Sequence, residues 1–199
     1  MAAARPSPVV LSSTASIRAP RTAAARVAVS NAASAAPVGS VLGTMTFGWR
    51  YSSEECDDAK CLELMETFLD AGHVELDTAL AYSGGETEKI MGRIFDANPS
   101  LMERCTGATK ANPWPGGNMT SSAGEGGLAP SELRAQVEAS RASLSPYGPI
   151  DLLYLHAPDA ATEIEQTLAE LKAMHDEGAF VNLGLSNFPA WEVAYIHGK

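Results

Sequence analysis

The sequence predicts an α/β protein built on a parallel β/α (TIM-type) barrel, with about the first five of the eight strand–helix units lying in residues 38–199. Strand and helix patterns alternate along this region, which is typical of βαβ units and a parallel sheet. Polar residues stand where the predicted strands end, at the face on which such barrels carry their chemistry. No G-x-G-x-x-G motif follows the first strand, which disfavours a dinucleotide-binding Rossmann fold.

Five segments have the composition of strands. The fourth, Ile150–His156 (IDLLYLH), is almost continuously apolar, as expected for a strand that is buried on both faces. The other four are predicted at Ser40–Met45, His73–Asp77, Arg104–Lys110 and Ala179–Ser186.

The first helix is predicted at Glu54–Ala71. Ser52 and Glu55 have capping-box spacing at its start, and Gly72 is a stop signal after it. Its apolar residues recur at helical spacing and form one stripe. The stripe consists of Cys61, Leu64, Met65, Phe68 and Leu69.

Four further helices are predicted after the later strands. Thr162 and Glu165 have capping-box spacing before the fourth of the five helices, which turns Ile164, Leu168 and Leu171 inward. The others are predicted at Glu86–Phe95, at Ser131–Leu144 with Leu133, Val137 and Leu144 on one face, and from about Pro189. The Gly/Pro/Ser-rich segment Ala111–Ala129 is predicted to be a loop, either a lid or a plain connection.

The first 37 residues differ in composition from the rest. They contain four arginines and many Ala and Ser residues, but no Asp, Glu or Gly. Such a segment cannot bury enough apolar surface to fold by itself, and this composition is typical of an organelle transit peptide. We expect residues 1–37 to be a disordered transit peptide, with the chloroplast favoured over the mitochondrion. The alternative is a disordered tail without an address on a cytoplasmic protein.

Charge and composition exclude several classes of partner. The formal charge of −10 argues against nucleic acid or an anionic membrane surface, because both are bound by clustered Lys and Arg. No apolar run approaches the ~18 residues that a membrane-spanning helix needs. His73, His175 and His197 show no metal-ligand spacing, so no metal is predicted.

The three cysteines indicate reduced thiols. Cys56, Cys61 and Cys105 have no CxxC spacing, and an odd number does not suggest a disulfide framework. Cys56 and Cys61 could form a redox switch. The favoured interpretation is that they are small buried apolar residues, as free cysteines usually are.

One group of residues at the strand ends suggests chemistry. Asp77, Lys110 and His156 lie at the ends of predicted strands, and Tyr82 follows Asp77 in a small-residue loop. If they converge, the Lys110 ammonium favours the phenolate of Tyr82 and makes the phenol a usable proton donor. Asp77 would hold that ammonium, and His156 would hydrogen-bond a carbonyl oxygen or the phenol. A hydride from a reduced nicotinamide is the natural complement, because no side chain supplies one.

Each of these residues also has a plain structural interpretation. Capping the turn that follows could be the only role of Asp77, and Tyr82 could be an ordinary amphipathic residue at the rim of the barrel. Lys110 could be a solvated charge, and His156 a satisfied core histidine. Ser186 or Asn187 could cap the last helix. Their joint occurrence at successive strand ends favours the functional interpretation.

The same residues lie in longer stretches that resemble the aldo-keto reductases, and among these the aflatoxin-aldehyde reductase type. The stretches are VLGTMTFG, HVELDTALAYSGGETEKIMG, ATK, IDLLYLHAPD and FVNLGLSNFPAWEV. They span Val41 to Val193, and together they are highly specific. The resemblance implies a catalytic tetrad with a tyrosine as general acid, formed by Asp77, Tyr82, Lys110 and His156.

The resemblance also implies a cofactor and a substrate class. The cofactor is NADPH, and the substrates are aldehydes and some ketones, which are reduced to alcohols. Ser186 and Asn187 are implied to contact the nicotinamide carboxamide. The full set of cofactor-binding positions is Met45, Asp77, Ser186 and Asn187.

The number of predicted units leaves two interpretations of function. In this family the last three units of the barrel are implied to supply most pyrophosphate contacts and the basic residues at the 2′-phosphate. The favoured interpretation is a reductase of which this sequence is a part, with little activity expected from the 199-residue chain by itself. The alternative is a truncated, non-catalytic remnant, or a regulatory or interaction subunit of the same fold, stabilised in a homo- or hetero-oligomer.

Overall fold

A computed structural model describes residues 39–51, 54–114 and 126–199. The predicted transit peptide, Ser52 and most of the predicted loop Ala111–Ala129 lie outside these ranges. Among the described residues, no helix is long and apolar enough to cross a membrane.

Five strands form one parallel sheet. They are β1 (Val41–Gly43), β2 (Glu75–Asp77), β3 (Thr106–Ala111), β4 (Ile150–Leu155) and β5 (Phe180–Leu185). The spatial order follows the chain, and every neighbouring pair is parallel. This succession confirms the predicted sheet, in which each strand neighbours the next after a helical connection.

Helices connect the strands as predicted, with one addition. They are α1 (Asp58–Asp70), α2 (Glu86–Ala97), α3 (Leu101–Arg104), α4 (Pro130–Ser143), α5 (Ile164–Asp176) and α6 (Ala190–His197). The short helix α3 was not predicted, because a single turn carries no detectable apolar period. A four-residue 3₁₀ turn, Tyr82–Gly85, also precedes α2.

The predicted start of α1 was wrong by four residues. Asp57, not Ser52, caps the helix, and its side chain accepts a hydrogen bond from the Lys60 amide at 2.9 Å. A carboxylate at this position satisfies an otherwise unpaired amide of the first turn. The predicted stripe is also narrower than expected, because Leu64 is 38% exposed while Cys61 is fully buried.

The predicted capping box before α5 is not formed. Glu163 is the residue before the helix and makes no side-chain cap. The Thr162 hydroxyl instead donates to Asp159 at 3.0 Å. Asp159 also accepts from the backbone amides of Gly126 and Leu128, so it ties the described end of the preceding loop to the turn after β4.

The apolar core consists of two clusters of buried side chains. One includes Phe47, Leu76 and Phe95 and lies around α1, α2 and β2. The other includes the predicted inward residues Leu133 and Val137 of α4, and it continues to β4, β5 and α5. Within the described sheet β1 and β5 form the edges, and several apolar residues there are exposed. They include Val41 of β1 and Leu183 of β5.

Candidate active site

The carboxyl ends of β2 and β3 bring Asp77 and Lys110 together. Asp77 lies opposite Ala108 in the parallel register, so Lys110 extends two residues further along its strand. The Lys110 ammonium donates to Asp77 Oδ2 at 2.6 Å and to the carbonyl oxygen of Thr78 at 2.8 Å. Lys110 is only 8% exposed, so the interpretation of it as a solvated charge is wrong. It is a buried cation with a carboxylate partner.

A strained turn positions Tyr82 over this cation. The Lys110 Nζ atom lies 5.0 Å from the centroid of the Tyr82 ring. Ser83, the next residue, has a φ of 50°, in the left-handed region that a residue with a side chain adopts only at a cost. Its hydroxyl donates to the Phe47 carbonyl at 2.9 Å, which holds the turn against the β1 loop.

His156 completes the group from the end of β4. Its backbone amide donates to the Ala111 carbonyl at 2.8 Å, and its ring packs edge-on against Tyr82 with 6.0 Å between centroids. The residue is 6% exposed, yet its Nδ1 has no hydrogen-bond partner among the described residues. The interpretation as a satisfied core histidine is therefore wrong.

The surroundings keep His156 neutral. Burial lowers its pKa, and the nearby charge of Lys110 lowers the pKa further, while Asp77 acts in the opposite direction. A neutral imidazole can accept or donate a hydrogen bond but carries no charge of its own.

Ser186 and Asn187 follow β5 at the same end of the sheet. The Asn187 amide nitrogen donates to the His156 carbonyl at 2.8 Å and to Ser186 Oγ at 3.0 Å. The residue before α6 is Pro189, with no side-chain cap, so the alternative role of Ser186 or Asn187 as the cap is wrong. Asn187 thus ties the ends of β4 and β5 together.

A cleft of about 530 Å³ lies beside Tyr82. Met45 lines it and is 45% exposed. The other walls are largely aromatic or come from the loop after β1. They include Trp49, Arg50 and Tyr51.

Two neighbours of the site were not predicted from the sequence. Glu88 is fully buried and accepts a hydrogen bond from Thr109 at 2.5 Å, next to Lys110 in the chain. Its spacing of three and seven from Met91 and Phe95, both buried on α2, could have revealed it. Trp114 packs edge-on against His156 at 6.1 Å between centroids, and no pattern marked it.

Tyr154 supports the site from the neighbouring strand. It lies opposite Lys110 on one side and Gly184 on the other, and Lys110 Nζ is 5.8 Å from its ring centroid. A Cβ atom at Gly184 would lie 2.4 Å from that ring. Only glycine therefore fits beside Tyr154 on β5.

The described residues do not provide the set of ligands that a metal ion needs. Within the ranges that the structure describes, no group of three or more His, Cys, Asp or Glu side chains could hold a metal ion.

The sequence of this chain is similar to those of known proteins. Residues 41–199 match the model of the aldo/keto reductase family. The chain is 43% identical over 159 residues to human aflatoxin B1 aldehyde reductase member 2, covering 80% of this chain and 40% of that protein. It is 35% identical over 157 residues to norsolorinic acid reductase A of Aspergillus parasiticus, covering 76% of this chain and 40% of that protein.

A solved structure shows the same fold. A thermostable aldo-keto reductase, crystallised with the inhibitor epalrestat, superposes with a TM-score of 0.65 at 24% identity and covers 80% of this chain and 53% of that one. The chain spans about two fifths of the length of the curated relatives that it matches. Five successive parallel strands with helical connections, and a family match over residues 41–199, lead to one conclusion: the chain belongs to the aldo/keto reductase family.

Proposed function

We propose that this protein reduces aldehydes and ketones to alcohols, with NADPH as the hydride donor and Tyr82 as the proton donor. The observation that carries the proposal is the contact of Lys110 with Asp77 at 2.6 Å, directly beneath the Tyr82 ring at 5.0 Å. The family membership and the relatives named as aldehyde reductases support the same reaction.

The charges at the site support Tyr82 as the proton donor. A phenol releases its proton readily only when the phenolate is stabilised, and a buried ammonium nearby provides that stabilisation. Lys110 is the cation in contact, and its hydrogen bond to Asp77 holds it in place. His156, held neutral by burial, is suited to hydrogen-bond the carbonyl oxygen rather than to supply a proton from a charged ring.

The described residues fit the nicotinamide end of the cofactor. The hydrogen bonds of Asn187 within the described ranges use its amide nitrogen, which leaves its side-chain oxygen as an acceptor for a carboxamide. Ser186 offers a hydroxyl beside it. Asp77 lies at the same end of the sheet, at the end of β2, and Met45 contributes an apolar wall. NADPH, when bound, supplies the hydride that no side chain can provide. Small-molecule carbonyl compounds are the proposed substrates.

The test is an assay of the protein purified from its source, with its intact mass measured alongside. We expect NADPH to be consumed with a nitrobenzaldehyde, and we expect Tyr82→Phe in the same polypeptide to abolish turnover while NADPH still raises the unfolding temperature. The control is Tyr51→Phe, a tyrosine that is 94% exposed on the same cleft.

Two outcomes would contradict the proposal. Unchanged turnover in Tyr82→Phe would refute the proton donor. If the native protein shows neither turnover nor stabilisation by NADPH, the non-catalytic alternative, a regulatory or interaction subunit, takes its place.

We also propose that residues 1–37 form a transit peptide for the chloroplast, because this segment combines arginines with an absence of acidic residues. Fused to a fluorescent protein, the segment should be imported by isolated chloroplasts and removed there. Replacement of its four arginines by alanine provides the matched control. Uptake by mitochondria, or retention in the cytoplasm, would overturn this assignment.

A further inference from the structure

Cys56 and Cys61 are brought into contact by the way α1 begins. Asp57 is the N-cap, so Cys56 occupies the position before the cap and Cys61 the fourth position of the helix. Side chains at these two positions pack together and set the direction in which the chain enters a helix. In most proteins both are apolar. Here both are thiols, and their Sγ atoms lie 3.3 Å apart.

The two thiols differ in access to solvent. Cys56 is half-buried, whereas Cys61 is fully buried. Burial raises the pKa of the Cys61 thiol, and its contact with Cys56 raises it further. Cys56 is therefore the sulfur that an external reagent reaches first. Cys61 lies close enough to react with the modified Cys56 sulfur. The third cysteine, Cys105, is buried separately, 1% exposed.

We propose that Cys56 and Cys61 are a reversible dithiol–disulfide pair, oxidised by exchange with a small external disulfide of the glutathione type. Cys56 attacks the external disulfide, forming a mixed disulfide and releasing one external thiol. Cys61 then attacks the Cys56 sulfur and releases the second external thiol. Both protein thiol hydrogens end on the two released thiols, so the protein is oxidised by two electrons and the external disulfide is reduced.

Closing the bond requires a movement that reaches the cleft. The sulfurs must approach from 3.3 Å to about 2.05 Å. Cys61 is held within the helix, whereas Cys56 lies before its N-cap, so Cys56 takes up most of the shift. Its carbonyl oxygen accepts the Gly48 amide at 3.1 Å, and Gly48 lines the cleft beside Tyr82.

Phe47, the residue before Gly48 in the chain, carries the movement towards Tyr82. The Phe47 carbonyl accepts hydrogen bonds from Ser83 and Thr87, each at 2.9 Å. Oxidation therefore displaces the loop that anchors the Tyr82 turn. This consequence for catalysis rests on the function proposed above, whereas the oxidation of the thiols does not.

Mass spectrometry tests the modification independently of activity. The full chain is incubated with glutathione disulfide, alkylated and digested with trypsin. Because Lys60 lies between the two cysteines, their bond joins tryptic peptides 51–60 and 61–89, while Cys105 lies in peptide 105–110. We expect the joined pair, reversed by dithiothreitol. In Cys61→Ser we expect glutathione retained on Cys56, since the second thiol is missing.

The opposite results are equally clear. Stable glutathione on the wild-type Cys56, no reaction under these conditions, or a bond that involves Cys105 would overturn the proposal. Should Cys61→Ser fail to fold, Cys56→Ser, changed at the half-buried position, shows whether Cys61 reacts by itself, which the proposal forbids.

Tryptophan fluorescence tests whether oxidation of the two cysteines moves the cleft wall. Trp49 adjoins Gly48 on the cleft wall. In a Trp114→Phe/Trp191→Phe background its emission should shift on oxidation and return on reduction. Adding Cys56→Ser should remove the shift. Joined peptides without any change in emission would refute the coupling, and a loss of activity would then have to be explained without it.

Discussion

Lys110 Nζ lies 2.6 Å from Asp77 Oδ2 although the two residues are 33 positions apart in the sequence. The pair spans the ends of β2 and β3, with 9% of the lysine side chain and 25% of the aspartate side chain exposed. An ion pair this deep is costly to break from one side, because the remaining charge loses its partner without regaining water.

Asp77→Asn should lower the free energy of unfolding by about 3 kcal/mol, the lower end of the range for broken buried pairs, because Asp77 keeps some contact with water. The matched control is Glu63→Gln, which breaks the exposed Lys60–Glu63 pair and should cost much less, because water screens this pair. Urea unfolding of both variants provides the comparison. If both variants lost the same free energy of unfolding, the buried pair would contribute no more to stability than the exposed one.

His156 should make stability fall as the solution becomes acidic. Its pKa is lowered in the folded protein, so below about pH 6.5, the ordinary imidazole value, the unfolded chain takes up a proton that the folded chain refuses. This contribution is fully present above that pH and is lost progressively below it, with a slope of at most about 1.4 kcal/mol per pH unit for one proton.

Urea unfolding between about pH 8 and pH 5 measures this slope. His156→Asn should reduce the slope, whereas His197→Asn, at an exposed position of α6, should leave it unchanged. An equal slope in wild type and His156→Asn would contradict the assignment. For the reduction proposed above, turnover should also decline towards acidic pH, since a charged His156 would repel Lys110.

Ser83 should affect stability in two ways, through its left-handed backbone conformation and through the hydrogen bond of its hydroxyl group. Ser83→Ala removes the bond to Phe47 and should cost about 1 kcal/mol. Ser83→Gly removes the same bond but relieves the left-handed strain, which is worth about 1 kcal/mol, so it should be the more stable of the two. Thermal unfolding separates them, with Ser131→Ala on the exposed side of α4 as a control. If Ser83→Ala is the more stable variant, the strain argument fails.

Gly184→Ala should be destabilising because the added methyl group meets the Tyr154 ring. Overpacking of this kind costs about 1–3 kcal/mol. Gly43→Ala is the matched control, a strand glycine with no atom within 4 Å of an added Cβ. It should change stability by less than about 1 kcal/mol in either direction. If both substitutions proved equally mild, the Tyr154 ring would have room to move and would not buttress Lys110.

The sequence determined the order of the helices and strands. It also placed Asp77 and Lys110 at the ends of two successive strands. Apolar runs and helical stripes are local patterns, so β4, α2 and α4 could be placed to within a few residues. The start of α1 was misplaced because Ser52 and Asp57 both have capping chemistry. Which of the two caps the helix depends on where the preceding loop is held, and Gly48 holds it by bonding Cys56.

By itself, then, the sequence determined a parallel β/α fold, its family and the residues placed at the strand ends, because these follow from periodicity and from motifs that are continuous in the chain. Only the tertiary structure decided that Glu88 is buried beside Thr109, that Tyr154 requires Gly184, and that two thiols touch. Such contacts join residues whose approach depends on strand register and loop anchoring. Those quantities are set by packing across the whole sheet, and no local pattern encodes them.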